Sequence, residues 1–196
     1  MSAKYELERD LSQLERMTEN LPDYLLGDAL YMPVGGFFRA STMPQLSLGA
    51  LLLRRRRLTQ LRSSLKRAQA SRLDAALRQH DQAQAEWTLH YEKKLKQEAP
   101  SRLKVMRAFF ADCSESPRDC APAYPVEALR RSLVQEILLA MDEFGYDKGE
   151  LSAPVQQTDA ALRRILHAGD FIWSERLAAV YPREAFWWLY GSPAAG

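Results

Sequence analysis

Histidine, cysteine and glycine are all scarce in this chain: three, two and nine residues among 196. With so few glycines, no P-loop and no dinucleotide-binding GxGxxG is present, and Gly35-Gly36 lacks the rest of either pattern. No His-Glu-x-x-His occurs. The residues three before His80, His90 and His167 are Leu77, Trp87 and Arg164, so the Glu-x-x-His pairs of helical di-metal sites are missing. Glu86 and His90, one helical turn apart, are weak evidence for any site. Gly-x-Ser-x-Gly is also absent. Cys113 and Cys120 have no histidine nearby, which argues against zinc. No export signal is read at MSAKYELERDL, which mixes charges and lacks an apolar core, so the expectation is a cytoplasmic protein with two reduced thiols. A local disulfide is the alternative. No run of about 18 uncharged apolar residues occurs, so no membrane-crossing helix is expected.

What is present suits a folded chain. Hydrophobic residues make up 46% and charged residues 27%, enough apolar matter for a real core. One domain over 1–196 is the default expectation at this length. The net charge of +2 hides a segregation. Residues 1–28 carry three basic and seven acidic side chains, a balance of −4; residues 54–104 carry fourteen and five, or +9; residues 105–196 carry nine and thirteen, or −4.

The organising stretch is Gln45–Glu98, which has no proline and only Gly49. Read as one helix, it would span roughly 80 Å at 1.5 Å per residue. Leu51, Leu58, Leu61, Leu65 and Ala68 form one apolar series, and Leu73, Leu77, His80, Gln84, Trp87, Tyr91 and Leu95 a second. The five-residue step from Ala68 to Leu73 shifts the stripe around the helix. The stripe is narrow, like a coiled-coil seam, so the expectation is a long hairpin or bundle arm. Thr42 and Gln45 have capping-box spacing with Pro44 in the first turn, and Pro100 signals the end or a kink. A break folded back near Gln69–Arg72 would remove the arm's reach.

Around that arm the expected fold is all-α, with a long helix in a hairpin or bundle and a small aromatic-rich helical head. Residues 1–44 read as an N-terminal helix over 4–19 and an apolar loop, 45–99 as the basic arm, and 100–196 as return helices and head. Pro125 opens a strong helix that Gly145 closes. Three short helices are expected after it: one begun at Ser152 and Pro154 and ended at Gly169, one capped by Asp170, one from Pro182 to Gly191. Seven of the nineteen aromatics fall in residues 171–190. No convincing β-type alternation is found.

No cofactor or metal is expected, and the primary functional expectation is a non-enzymatic interaction or scaffold protein that pairs with a second copy or with a protein partner. Tyr24, Tyr31, Phe37, Phe38, Trp173, Trp187 and Trp188 are the candidate apolar partner surface. The alternative is nucleic-acid binding, with Arg54, Arg55, Arg56, Arg57, Arg62, Lys66, Arg67 and Arg72 contacting phosphates. A membrane partner is disfavoured by Asp23, Asp28 and three prolines near the apolar loop. Four consecutive arginines span about 300° of a helix, so one must turn inward; Arg54 continues the leucine series and needs a carboxylate partner or a very wet groove, and the acidic N-terminal helix is one source of the carboxylate. Whether the cations are paired with Glu6, Glu8, Asp10, Glu15 or Glu19 discriminates the two readings. The weakest reading is an enzyme with a pocket between the aromatic head and the Pro22–Pro44 loop, holding a carboxylate or histidine such as Asp170 or His167 among Trp173 and Trp187.

Overall fold

The computed structural model describes residues 5–34, 44–115 and 120–193. The fold is mostly helical with one small two-stranded sheet. The chain forms two compact units, Glu6–Glu98 and a second built from Ala99 onward. The boundary falls inside one helix, Thr88–Glu115. No described helix is long and apolar enough to cross a membrane.

The N-terminal unit holds α1 (Leu7–Glu19), α2 (Leu21–Leu26), α3 (Leu48–Gln60), α4 (Arg67–Glu86) and the first part of α5 (Thr88–Glu115). Leu7, Leu11, Leu14 and Met17 recur at helical spacing and all are buried. α1 packs on both α3 and α4. Asp10 faces Arg57 and Gln13 faces Arg54, so α1 runs antiparallel to α3. Glu8 faces Arg72 and Thr18 faces Gln79, so α1 runs parallel to α4.

The expected single arm is therefore corrected. α3 ends at Gln60, a 3-10 turn covers Arg62–Ser64, and α4 starts at Arg67 in the reverse direction. A further break separates α4 from α5 at Trp87. The helix also begins later than expected: Ser47 is the cap, accepting a hydrogen bond from the Ala50 N–H, whereas Thr42 lies outside the described residues. The physical reason for the fold-back is burial. Interrupting a helix forfeits a few hydrogen bonds of about 1 kcal/mol each. Fully burying a leucine or methionine returns roughly 1.5–3 kcal/mol, and the reversal lets Leu51, Leu58 and Leu73 be buried in the same unit as α1. Pro100, in contrast, ends nothing, because α5 runs through it to Glu115. The apolar loop expected after the N-terminal helix opens with α2, with Pro22 at its start.

The second unit continues α5 and adds α6 (Tyr124–Glu143), α7 (Ser152–Ile165) and the antiparallel strands β1 (Leu166–Phe171) and β2 (Tyr190–Pro193). Pro125 lies in the first turn of α6, and Gly145 follows its end at φ 68°, where a residue without a Cβ is favoured. Cys113 and Cys120 are joined, which corrects the expectation of two reduced thiols. The last two expected helices are also corrected. Glu175–Val180 and Trp187–Leu189 are 3-10 turns, and the residues around them are the strands. β1 escaped notice because its four central residues are all exposed, so its sequence carries no apolar alternation.

Gly191 fixes that pairing. Its φ is 155°, and a Cβ there would stand 2.2 Å from the His167 carbonyl oxygen on β1. Gly191→Ala is therefore expected to lower stability by about 1–3 kcal/mol and to speed hydrogen exchange along β1. An unchanged melting temperature with unchanged exchange would refute this account of the sheet.

Candidate interaction surface

The cationic residues singled out in the sequence are drawn into the N-terminal unit. Arg54 does turn inward: it is 9% exposed, its Nε and Nη2 donate to Gln13 Oε1 at 2.9 and 2.8 Å, and its Nη1 donates to the Ala50 carbonyl at 2.7 Å. Asp10 lies 3.8 Å from Arg54 and 3.3 Å from Arg57. Arg72 donates to Glu15 at 2.6 and 2.7 Å and to Glu8 at 2.5 Å. Its pKa is raised, by Glu15 first and then Glu8. The hydrogen bonds from Gln69 and Arg72 hold the Glu8 carboxyl below its usual value. Arg62 makes a two-pronged pair with Asp74 at 2.6 and 2.8 Å. Arg55 and Arg56 are half-buried, and each has a partner within the chain. Lys66 and Arg67 are exposed.

The candidate aromatics separate into two groups. Tyr24 and Trp188 are each 1% exposed and belong to the core, not to a surface. Tyr24 packs under Lys94, whose Nζ donates to the Gly27 and Ala29 carbonyls at 2.7 Å each. Burial lowers the Lys94 pKa, against a smaller opposing pull from Asp28. Trp188 donates from Nε1 to Ser132 Oγ at 3.0 Å, and its carbonyl accepts from the Tyr124 hydroxyl at 2.5 Å. Burial raises the Tyr124 pKa. Tyr31, Trp173 and Trp187 are half-buried, while Phe37 and Phe38 lie outside the described residues.

Further polar residues take part in the packing of both units. His80 is fully buried, meeting Asp81 at Nδ1 (2.8 Å) and the Tyr91 hydroxyl at Nε2 (2.9 Å), which suits the expected packed residue. Glu98, also fully buried, accepts from Ser47 Oγ at 2.8 Å and from the Gly49 N–H at 3.1 Å, at the N-terminus of α3. In the second unit Arg131 grips Asp159 at 2.6 and 3.0 Å and lies 4.1 Å over the Trp188 ring. His167 and Asp170 are exposed on β1, so they are not enclosed among tryptophans.

The most open of these arrangements is Arg163 over Trp187. The Arg163 guanidinium carbon is 3.7 Å from the ring centroid, Arg163 is exposed and Trp187 half-buried. Among the described residues no carboxylate pairs with Arg163. A second stack lies in the same unit: Arg183 sits 4.8 Å over the Tyr190 ring and donates to the Gly169 carbonyl at 3.0 Å. Phe171 leans on Tyr190 at 5.0 Å and on Trp173 at 6.3 Å. A signal is present in the sequence, Arg163-Arg164 close before the aromatic-rich stretch, but it is not among the residues singled out from the sequence. Compared with known protein families, curated proteins and solved structures, the chain matches none of them.

Proposed function

We propose that the chain is a non-enzymatic interaction protein that engages a protein partner through the arginine–tryptophan face of its second unit. The observation that carries this reading is the exposed Arg163 guanidinium, stacked on Trp187 and paired with no carboxylate among the described residues. Stacking holds the planar group in place while its edge N–H groups stay available for a carboxylate or carbonyl. Tryptophan and arginine are the residue types that dominate binding energy at protein interfaces. The partner chemistry is an acidic side chain beside an apolar one. The fold-back at Leu61–Lys66 removes the reach on which a bridging arm depended, so the arm has no part in this proposal. The nucleic-acid alternative is disfavoured because Arg54, Arg57, Arg62 and Arg72 already face Asp10, Asp74, Glu8 and Glu15. The Cys113–Cys120 bond supports an oxidising compartment as the working site, in place of the cytoplasm expected from the sequence.

The test is selection from a displayed random-peptide library on the immobilised full chain, with an R163A/W187A variant as counter-target. Peptides combining Asp or Glu with a large apolar residue should enrich on the wild type and lose at least tenfold in affinity for the variant. No wild-type-specific enrichment, or peptides indifferent to the double substitution, would reject the reading.

A further inference from the structure

The reversal between α3 and α4 is built from residues that suit a helix. Leu61, Arg62, Ser63, Ser64, Leu65 and Lys66 include no glycine, no proline and no β-branched side chain. Leu61 departs moderately from helical geometry, with φ −93° and ψ 16°, and Arg62–Ser64 form a 3-10 turn. The large departures are at Leu65 and Lys66, with ψ 141° and 155°. Rotating those two ψ angles back to the helical value of about −42°, with smaller adjustments at Leu61 and in the 3-10 turn, joins α3 and α4 into one helix. The sequence periodicity across this stretch favours that straight form.

The bent form is held by few local contacts. Arg62 reaches Asp74 across the reversal, and the Lys66 N–H donates to Gln69 Oε1 at 2.9 Å. In a continuous helix Arg62 and Asp74 would lie about 18 Å apart, so the pair exists only in the bent form. The other bonds join a segment before the turn to a segment after it: Glu8 and Glu15 to Arg72, Thr18 to Gln79, Gly27 and Ala29 to Lys94, Ser47 to Glu98. None of them requires both segments to come from the same chain.

We propose that the Leu61–Lys66 turn is a hinge and that two copies of this chain exchange α1, α2 and α3 by straightening it, forming a swapped dimer. Each copy lays its α1 against the other's α4, and the Arg72, Gln79, Lys94 and Glu98 contacts are remade between chains. Monomer and dimer then differ mainly at the hinge: the dimer gains continuous helix, the monomer keeps the Arg62–Asp74 pair and avoids the entropy of association. This proposal is independent of the arginine–tryptophan face.

The test uses two opposed variants of the full chain. Arg67→Pro fits the bent form, because Arg67 is the first residue of α4 and Lys66 already has the extended backbone that precedes proline. It cannot fit a continuous helix. The triple variant S63A/S64A/D74A raises helix propensity in the turn and removes the pair that spans it. Light scattering from micromolar to millimolar protein, after refolding at high concentration, should give at least a tenfold higher dimer association constant for the triple variant than for the wild type. Arg67→Pro should stay monomeric. Adding T18C/Q79C to the triple variant, with a short bismaleimide, should link two chains in the dimer fraction and one chain to itself in the monomer fraction, since those side chains lie 3.1 Å apart. A triple variant that is monomeric throughout, a dimer cross-linked only within chains, or an Arg67→Pro protein that dimerises like wild type would each overturn the proposal. Should Arg67→Pro fail to fold, the triple variant and its cross-links decide alone.

Discussion

Arg131→Ala should lower the unfolding free energy by about 3–5 kcal/mol, the range for breaking a buried charge pair by removing one partner. The Arg131 side chain is 4% exposed and Asp159 20%. The guanidinium does three things at once. It satisfies both Asp159 oxygens, donates to Gln135 at 3.2 Å, and covers the ring of Trp188. Alanine leaves the Asp159 carboxylate short of its two-pronged donor and opens a void beside the largest buried side chain of the unit. Arg131→Lys keeps the charge but not the planar fork, so it should recover only a minor part of the loss. Urea unfolding followed by tryptophan fluorescence measures both. A loss below about 1 kcal/mol for alanine would mean that the pair behaves as an exposed one, contrary to the burial seen.

In the N-terminal unit Asp10→Ala should remove about 3 kcal/mol, at the lower end of the same range. Asp10 is the carboxylate that both Arg54 and Arg57 approach, and all three side chains are about nine-tenths buried. Without it, both guanidinium groups lose the carboxylate they share in a desolvated site. Asp10→Leu combined with Arg54→Met should recover part of the loss, because an apolar pair avoids the desolvation of the charges. Asp74→Ala is the contrast: it removes a shorter pair, but one at the surface, where water screens the charges, and should leave the stability of dilute protein almost unchanged. Equal losses at Asp10 and Asp74 would refute the claim that burial decides their weight.

Residues whose role depends on local spacing were legible. The α1 leucines, the Pro125 start, the Gly145 stop and the inward turn of Arg54 all follow from helical geometry and from the impossibility of exposing four arginines on one narrow face. The N-terminal helix as a source of acidic partners was legible too, because a buried guanidinium needs either a carboxylate or a wet groove, and Asp10 is the carboxylate found near it. Residues whose role depends on a distant segment were not. Glu98 has no mark in the sequence; it matters because the chain brings Ser47 and Gly49 to it. Arg163 is an ordinary helix-terminal cation until Trp187 arrives beneath it.

By itself the sequence determined the helical class, the ends of several helices and the sign of charge along the chain, because these rest on contacts between near neighbours. Only the tertiary structure decided that the long periodic stretch bends at Leu61–Lys66, that Leu166–Phe171 pairs with Tyr190–Pro193, and that the two cysteines meet. In each case the local preference was weak or contrary. The outcome was set by burial or by pairing with residues far along the chain, and local spacing records neither.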